Sequence, residues 1–323
     1  MTRAPRTPDA GAAPPSEAGL LSLSDVDEKT LSELVRRSVE FDRDQRPAAR
    51  PLAGRAVGIL FTATSTRTRT AFTVAALRLG GTPIAYGPAD LQLATGESLA
   101  DTGRILGLML DALVVRTAGP LAEMRRLARG AGRPVVNAMA AEEHPTQAVC
   151  DIATLVRHFG SLPGLSFLYV GEGNNTAAAL ARGLALVPGV RATFATPPGY
   201  GLPPALLAEA ARAAGARGTV IEEVHDMERL PADVNAVYTT RWQTTGTSKA
   251  DPAWRERFRP FYVDEALMGR YPGAVFMHDL PAHRGDEVAG AVLDGERSLA
   301  WAQARMKLSS AMAVLEHVVE DDA

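Results

Sequence analysis

Two short stretches carry residue types that can act on an anionic substrate. FTATSTRTRT (61–70) follows an aliphatic run, AVGILF (56–61), and opens a helical pattern. At a helix N-terminus, free backbone N–H groups and the positive end of the dipole both point at an anion. Ser65, Thr66 and Thr68 add hydroxyl donors, and Arg67 adds a forked cation that matches phosphate oxygens. Ser and Thr are also ordinary N-cap residues, so a capped helix start with a solvated basic turn is the competing reading. The second stretch, His144-Pro145-Thr146-Gln147, sits after a strand candidate at a helix start, and Arg116 ends an earlier strand candidate. Taken singly, Arg116 reads as a surface charge and His144 as a cap. Their shared position at the ends of parallel strands, where ligands gather, favours a site. An arginine and a neutral histidine beside a bound phosphate ester suit a carbonyl whose oxygen gains charge during attack.

These groups need a scaffold that brings strand ends together. From residue 56 to about 278, short aliphatic runs alternate with helical patterns. AVGILF (56–61), TPIAY (82–86), ALVVR (112–116) and PVVNA (134–138) read as strands. The helix after the first has Phe72, Ala75, Ala76 and Leu79 on one face and stops at Gly80-Gly81; further helices fall near 97–110 and 120–130. The pattern restarts with strands at 165–171, 191–196, 219–223, 234–240 and 273–278, and helices near 175–186 and 203–215. The expected fold class is therefore α/β, with two doubly wound parallel-sheet domains joined by interdomain helices. The first is expected to span 20–150 plus a returning helix at 298–320, and the second 151–297, with a joining helix through 146–159.

At 323 residues the chain is long enough for two cores. Its apolar fraction of 46 % and charged fraction of 22 % are those of a soluble globular protein. A formal net charge of −3 and a pI near 6.1 give no electrostatic pull toward nucleic acid or an anionic membrane. Lysine occurs only at Lys29, Lys249 and Lys307, the other basic residues being arginine. A single cysteine, Cys150, excludes an internal disulfide and a cysteine metal cluster and fits a cytoplasmic protein. Residues 1–19 are rich in Pro, Ala and Gly without an apolar core, and read as a disordered tail rather than a signal peptide or anchor.

STRTR (65–69), HPTQ (144–147), GEGNN (171–175) and HDLPAHRGDEV (278–288) resemble, in order and spacing, the aspartate and ornithine carbamoyltransferases. The resemblance covers nearly the whole chain after the tail and implies transfer of the carbamoyl group of carbamoyl phosphate to an amine, without metal or organic cofactor. It implies that the first domain binds carbamoyl phosphate and the second the acceptor. Phosphate would be held by Ser65, Thr66, Arg67 and Thr68, the carbonyl oxygen by Thr68, Arg116 and His144, and the carbamoyl nitrogen by Gln147. Arg305, in QARMKLSSAM, matches the family's arginine on the last helix. Gln92 matches a glutamine that reaches the phosphate from a neighbouring subunit, which implies a homotrimer with shared active sites. The lysine often found four residues later is Gly96 here.

The acceptor side departs from the family. Asn175 matches the asparagine that holds the acceptor's α-carboxylate in ornithine-type members, whereas Gly171 and Gly173 read as a structural turn. Ornithine-type members carry an aspartate for the α-amino group where this chain has Thr240, and a serine-containing segment where it has Thr244, Thr245 and Gly246. Thr240, Arg241 and Gln243 instead resemble the Thr-Arg-x-Gln of aspartate-type members, although Arg241 also reads as a surface ion-pair residue. Asp279, before Leu280, stands where ornithine-type members have cysteine and aspartate-type members proline. A carboxylate there is expected to hold the nucleophilic amine.

These departures lead to the expectation of an acceptor whose α-amino group is blocked or absent. Such an acceptor is an acylated amino acid or an amine in a peptide, as where amines of tuberactinomycin-type antibiotics become ureido groups. Ordinary ornithine or aspartate carbamoylation, and an inactive phosphate-sensing relative, are the alternatives.

Overall fold

The computed structural model describes residues 19–92, 96–243 and 248–320. The expected tail over 1–18 and the expected acceptor residue Thr244, with Thr245 and Gly246, lie outside these. Two five-stranded sheets form, every strand pair in each being parallel. The first contains β1 (Gly19–Leu20), β2 (Ala56–Phe61), β3 (Thr82–Tyr86), β4 (Ala112–Arg116) and β5 (Val135–Asn137), in the order β1-β5-β4-β2-β3. The second contains β6 (Ser166–Val170), β7 (Arg191–Ala195), β8 (Val220–Val224), β9 (Ala236–Thr239) and β10 (Val275–His278), in the order β10-β9-β6-β7-β8. β4 and β9 are buried along their whole length, as strands covered by helices on both faces must be.

The helices are α1 (Glu28–Arg43), α2 (Arg67–Arg78), α3 (Leu99–Gly107), α4 (Leu121–Ala131), α5 (Pro145–Phe159), α6 (Asn175–Ala185), α7 (Pro204–Gly215), the short α8 (Trp254–Phe258), α9 (Glu265–Gly269) and α10 (Gly290–Leu293), and α11 (Ala300–Glu320). Several elements have no counterpart in the sequence reading: β1, α1 and the short α8, α9 and α10. Gly19, assigned there to the tail, pairs with Val135 at the sheet edge. The sequence reading names no element at α1, yet Asp27 caps it by accepting from the Thr30 N–H at 2.7 Å, and Leu31, Leu34, Val35 and Val39 form its buried stripe. That stripe packs on α11, so its partner lies far away in sequence.

From β2 in the first sheet and β6 in the second, the chain builds outward on one side, then returns to the other. The two reversals lie between β2 and β4 and between β6 and β9. At the first, Phe61 is in register with Arg116; at the second, Val170 is in register with Thr239. Crevices at the carboxyl ends of strands open at such reversals. One hydrophobic cluster runs from Ile59 and Phe72 through Ala148 and Ile152 of α5 to Tyr169 and Met277. It holds the two crevices facing one another.

Candidate active site

A cavity of about 420 Å³ lies between the crevices, lined from the first sheet by Ser65, Thr66, Arg67, Thr68, Arg116, His144 and Gln147. From the second it is lined by Asn174, Asn175, Thr176, Thr240, Arg241, Asp279 and Leu280. Thus residues separated by more than 200 positions share one wall-to-wall space.

The loop after β2 enters α2 at Thr66, which adopts a helical conformation and makes no side-chain capping bond. A capped start, the competing reading of this stretch, is not what forms. The first turn of this twelve-residue helix carries no acidic residue of its own, and its free N–H groups make a candidate anion site. Arg69 turns away, its Nη2 3.4 Å from the Phe61 carbonyl.

Arg116 is 8 % exposed, with Nη1 3.4 Å from both the Ala138 carbonyl and His144 Nε2. Its Nε is buried without a hydrogen-bond partner among the described residues, a donor held ready for a ligand. Burial lowers its pKa to about 10, against the pull of Asp279, so it remains cationic at neutral pH. Burial, then the charges of Arg116 and Lys307, hold His144 well below the usual imidazole range. It is therefore neutral, and a neutral imidazole keeps one N–H that can donate to a carbonyl. Burial also lowers Arg67, while Asp279 opposes that shift.

On the opposite wall, the Asp279 carboxylate accepts from Thr240 Oγ1 at 2.9 Å and from Thr176 Oγ1 at 3.2 Å. Its neighbour His278 is fully buried, accepts the Leu280 N–H at 2.8 Å through Nδ1, and lies 3.2 Å from Glu287 through Nε2. This ties together the two ends of the HDLPAHRGDEV loop. Leu280 sits in the left-handed region at φ 54°, turned to the cavity. Asn175 Nδ2 donates to the Ala140 carbonyl at 2.8 Å, and its own carbonyl accepts the His144 N–H at 3.2 Å, which stitches the two walls together. Gly173 lets the backbone of this turn pass close to Gly201, where a Cβ would come within 2.3 Å.

Three expected residues do not join the cavity. Arg305 is 64 % exposed on the outer face of α11, where Nε lies 3.1 Å from Asp42 and Nη2 donates to the Asp42 carbonyl at 2.8 Å. The expectation that it reaches the reacting group is therefore corrected. The rotation of α11 sends its side chain outward. Gln92 and Gln243 are also absent from the lining.

Sequence reasoning missed Lys307, which lines the cavity from α11 and donates to Gln147 Oε1. It is half-buried, and desolvation lowers its pKa. The available signal was its rarity, as one of three lysines in an arginine-rich chain. Among the described residues the lining thus carries Arg67, Arg116, Arg241 and Lys307 against one carboxylate, Asp279. That balance suits a dianionic donor together with an acceptor bearing both a carboxylate and an ammonium group. Among the described residues no group of three His, Cys, Asp or Glu side chains is placed to hold a metal, and no helix is long and apolar enough to cross a membrane.

Comparison with known proteins agrees with this geometry. Residues 19–157 match the family described as aspartate/ornithine carbamoyltransferase, carbamoyl-P binding domain. Residues 163–318 match its Asp/Orn binding domain. An ornithine carbamoyltransferase of Gloeobacter violaceus is 38 % identical over 297 residues, covering 92 % of this chain and 94 % of the relative. One from Symbiobacterium thermophilum is 40 % identical over 266 residues, covering 82 % and 85 %. The solved structure of ornithine carbamoyltransferase from Pyrococcus furiosus superposes with a TM-score of 0.87 at 34 % identity, covering 94 % of this chain and 97 % of that one. From its two facing crevices to these matches along both halves, the chain belongs to the aspartate/ornithine carbamoyltransferase family.

Proposed function

We propose that the protein transfers the carbamoyl group of carbamoyl phosphate to the side-chain amine of a free diamino acid of the ornithine class. The relatives named ornithine carbamoyltransferase favour this over the blocked acceptor expected from the sequence. The observation that carries it is Asp279, whose carboxylate lies 2.9 Å from the Thr240 hydroxyl. Thr240 takes the place of an ammonium-binding aspartate, and Asp279 returns a carboxylate to the same spot from another strand. An acceptor with a free α-ammonium therefore keeps a charged partner.

In this scheme carbamoyl phosphate lies with its phosphate at the α2 N-terminus beside Ser65, Thr66, Arg67 and Thr68. Its carbonyl oxygen faces Arg116 and His144, and its nitrogen faces Gln147. The acceptor lies across Asn175, Thr240, Arg241 and Asp279. The neutral amine attacks the carbamoyl carbon, and negative charge grows on the oxygen against Arg116 and His144. The bond from carbon to the phosphate oxygen then breaks, its electron pair leaves with phosphate, and phosphate takes the amine proton. Positioning and charge stabilisation supply the rate. We further propose that three copies assemble, with Gln92 reaching a neighbour's donor site.

A second reading keeps an acceptor without a free α-amino group. It is favoured by the threonine at position 240, and in it Asp279 faces the nucleophilic amine itself. The deciding experiment supplies carbamoyl phosphate with ornithine, aspartate or Nα-acetylornithine, and follows phosphate release and the carbamoylated product. Citrulline as the fastest-formed product is expected. Faster carbamoylation of Nα-acetylornithine would favour the second reading, and no binding of carbamoyl phosphate would refute both.

A further inference from the structure

Residues two apart on a helix leave it about 200° apart, so Arg305 and Lys307 project from nearly opposite faces of α11. Arg305 goes outward to Asp42, and Lys307 goes into the cavity. There its ammonium donates to Gln147 Oε1, while Gln147 Nε2 donates to Asp151 Oδ1 at 2.6 Å. The carboxamide is thereby fixed in one sense. A flip would set its NH2 against the ammonium and its oxygen against the carboxylate. Asp151 is itself immobilised, accepting from Gln303 Nε2 at 2.6 Å and from Tyr238 Oη at 2.9 Å. An amide oxygen has two lone pairs, so Gln147 Oε1 can accept from Lys307 and from a ligand in the cavity together.

We propose that Lys307 is a positioning residue for the donor: it holds Gln147 with its oxygen toward the substrate's NH2, and so selects carbamoyl phosphate over acyl phosphates lacking that group. This rests on the carbamoyl-transfer reading and deepens it. The ammonium contacts the carboxamide directly, so the hydrogen-bonded part of its effect falls on the nitrogen-bearing end of the donor. The phosphate end is held at the α2 N-terminus and by Arg67, to which no hydrogen bond among the described residues joins Lys307.

Three constants separate this role from a structural one: KM for carbamoyl phosphate, and inhibition constants for inorganic phosphate and for acetyl phosphate, which bears a methyl where the donor bears NH2. In Lys307→Met, KM for carbamoyl phosphate is expected to rise about tenfold, while both inhibition constants stay within about twofold. Unchanged phosphate inhibition also reports that the variant is folded. Lys307→Gln, which keeps a donor within reach of Gln147, is expected to recover most of the preference for carbamoyl over acetyl phosphate. Equal weakening of all three ligands would overturn the proposal by making Lys307 a general counter-charge, and no change in any would overturn it by making the residue idle. A wild-type enzyme without carbamoyl transfer or preference for carbamoyl over acetyl phosphate would instead remove the underlying reading, and the proposal with it.

Discussion

At position 279 a carboxylate enters a cavity whose other charged lining residues are cations, and its two hydroxyl partners, Thr240 and Thr176, come from different elements of the second sheet's face. Asparagine at this position would keep the shape and the threonine contacts but lose the charge. A lost charge-assisted contact is worth about 1.5–3 kcal/mol, so Asp279→Asn is expected to raise KM for the amine acceptor by roughly 10- to 100-fold. KM for carbamoyl phosphate is expected to stay within about threefold, since the proposed phosphate site lies on the other wall. Steady-state kinetics with each substrate varied in turn decide it; an unchanged acceptor KM would show that Asp279 does not bind the amine. Thr240 was legible as a missing carboxylate and Asp279 as an added one. That the two side chains meet was not, because 39 positions separate them and only strand pairing between β9 and β10 brings them into contact.

Helices α3 and α4 cross so closely that a Cβ on Gly107 would come 1.9 Å from the Ala131 carbonyl oxygen, and one on Gly130 would come 2.1 Å from that of Ala100. In an isolated helix, Gly→Ala stabilises by about 1 kcal/mol. Here the sign is expected to reverse. Gly107→Ala forces the helices apart and should destabilise by about 1–3 kcal/mol in a urea titration. A gain in stability would mean that the helices slide apart at no cost. At α2 the same local chemistry that opens a helix serves the ligand. Serine and threonine read as a cap or as an anion site, and the helical conformation of Thr66 leaves the N–H groups to the cavity.

The two sheets are joined by a shared interior more than by a hinge. α5 is buried from Pro145 to Leu155, and α11 packs on α1, α2 and α5. Arg37 clamps α1 to α11 through paired 2.7 Å hydrogen bonds to Glu316. Across this interior, Asp151 links Gln147 on the donor side to Gln303, whose Oε1 accepts the His278 N–H at 2.9 Å next to Asp279. Beyond the single chain, Leu108 and Met109, 77 % and 69 % exposed, stand at the end of α3, the helix that follows the segment bearing Gln92. Exposed apolar side chains at such a place suit burial between copies. Light scattering on the eluting peak is expected to give three times the 34.2 kDa of one chain. A monomeric mass with full activity would refute shared active sites.

The sequence alone determined the strand and helix alternation, the candidate anion site at the start of α2 and the motifs at the strand ends. Each depends on residues close together in the chain, through side-chain periodicity and the unsatisfied groups of a helix terminus. Only the tertiary structure decided which basic residue of α11 enters the cavity, placing Lys307 within and Arg305 without. It also set the Asp279 carboxylate against Thr240 and recruited α1 to the core. The rotation of a helix about its axis and the contact between separate strands are fixed by packing against distant elements, and no local pattern carries that information.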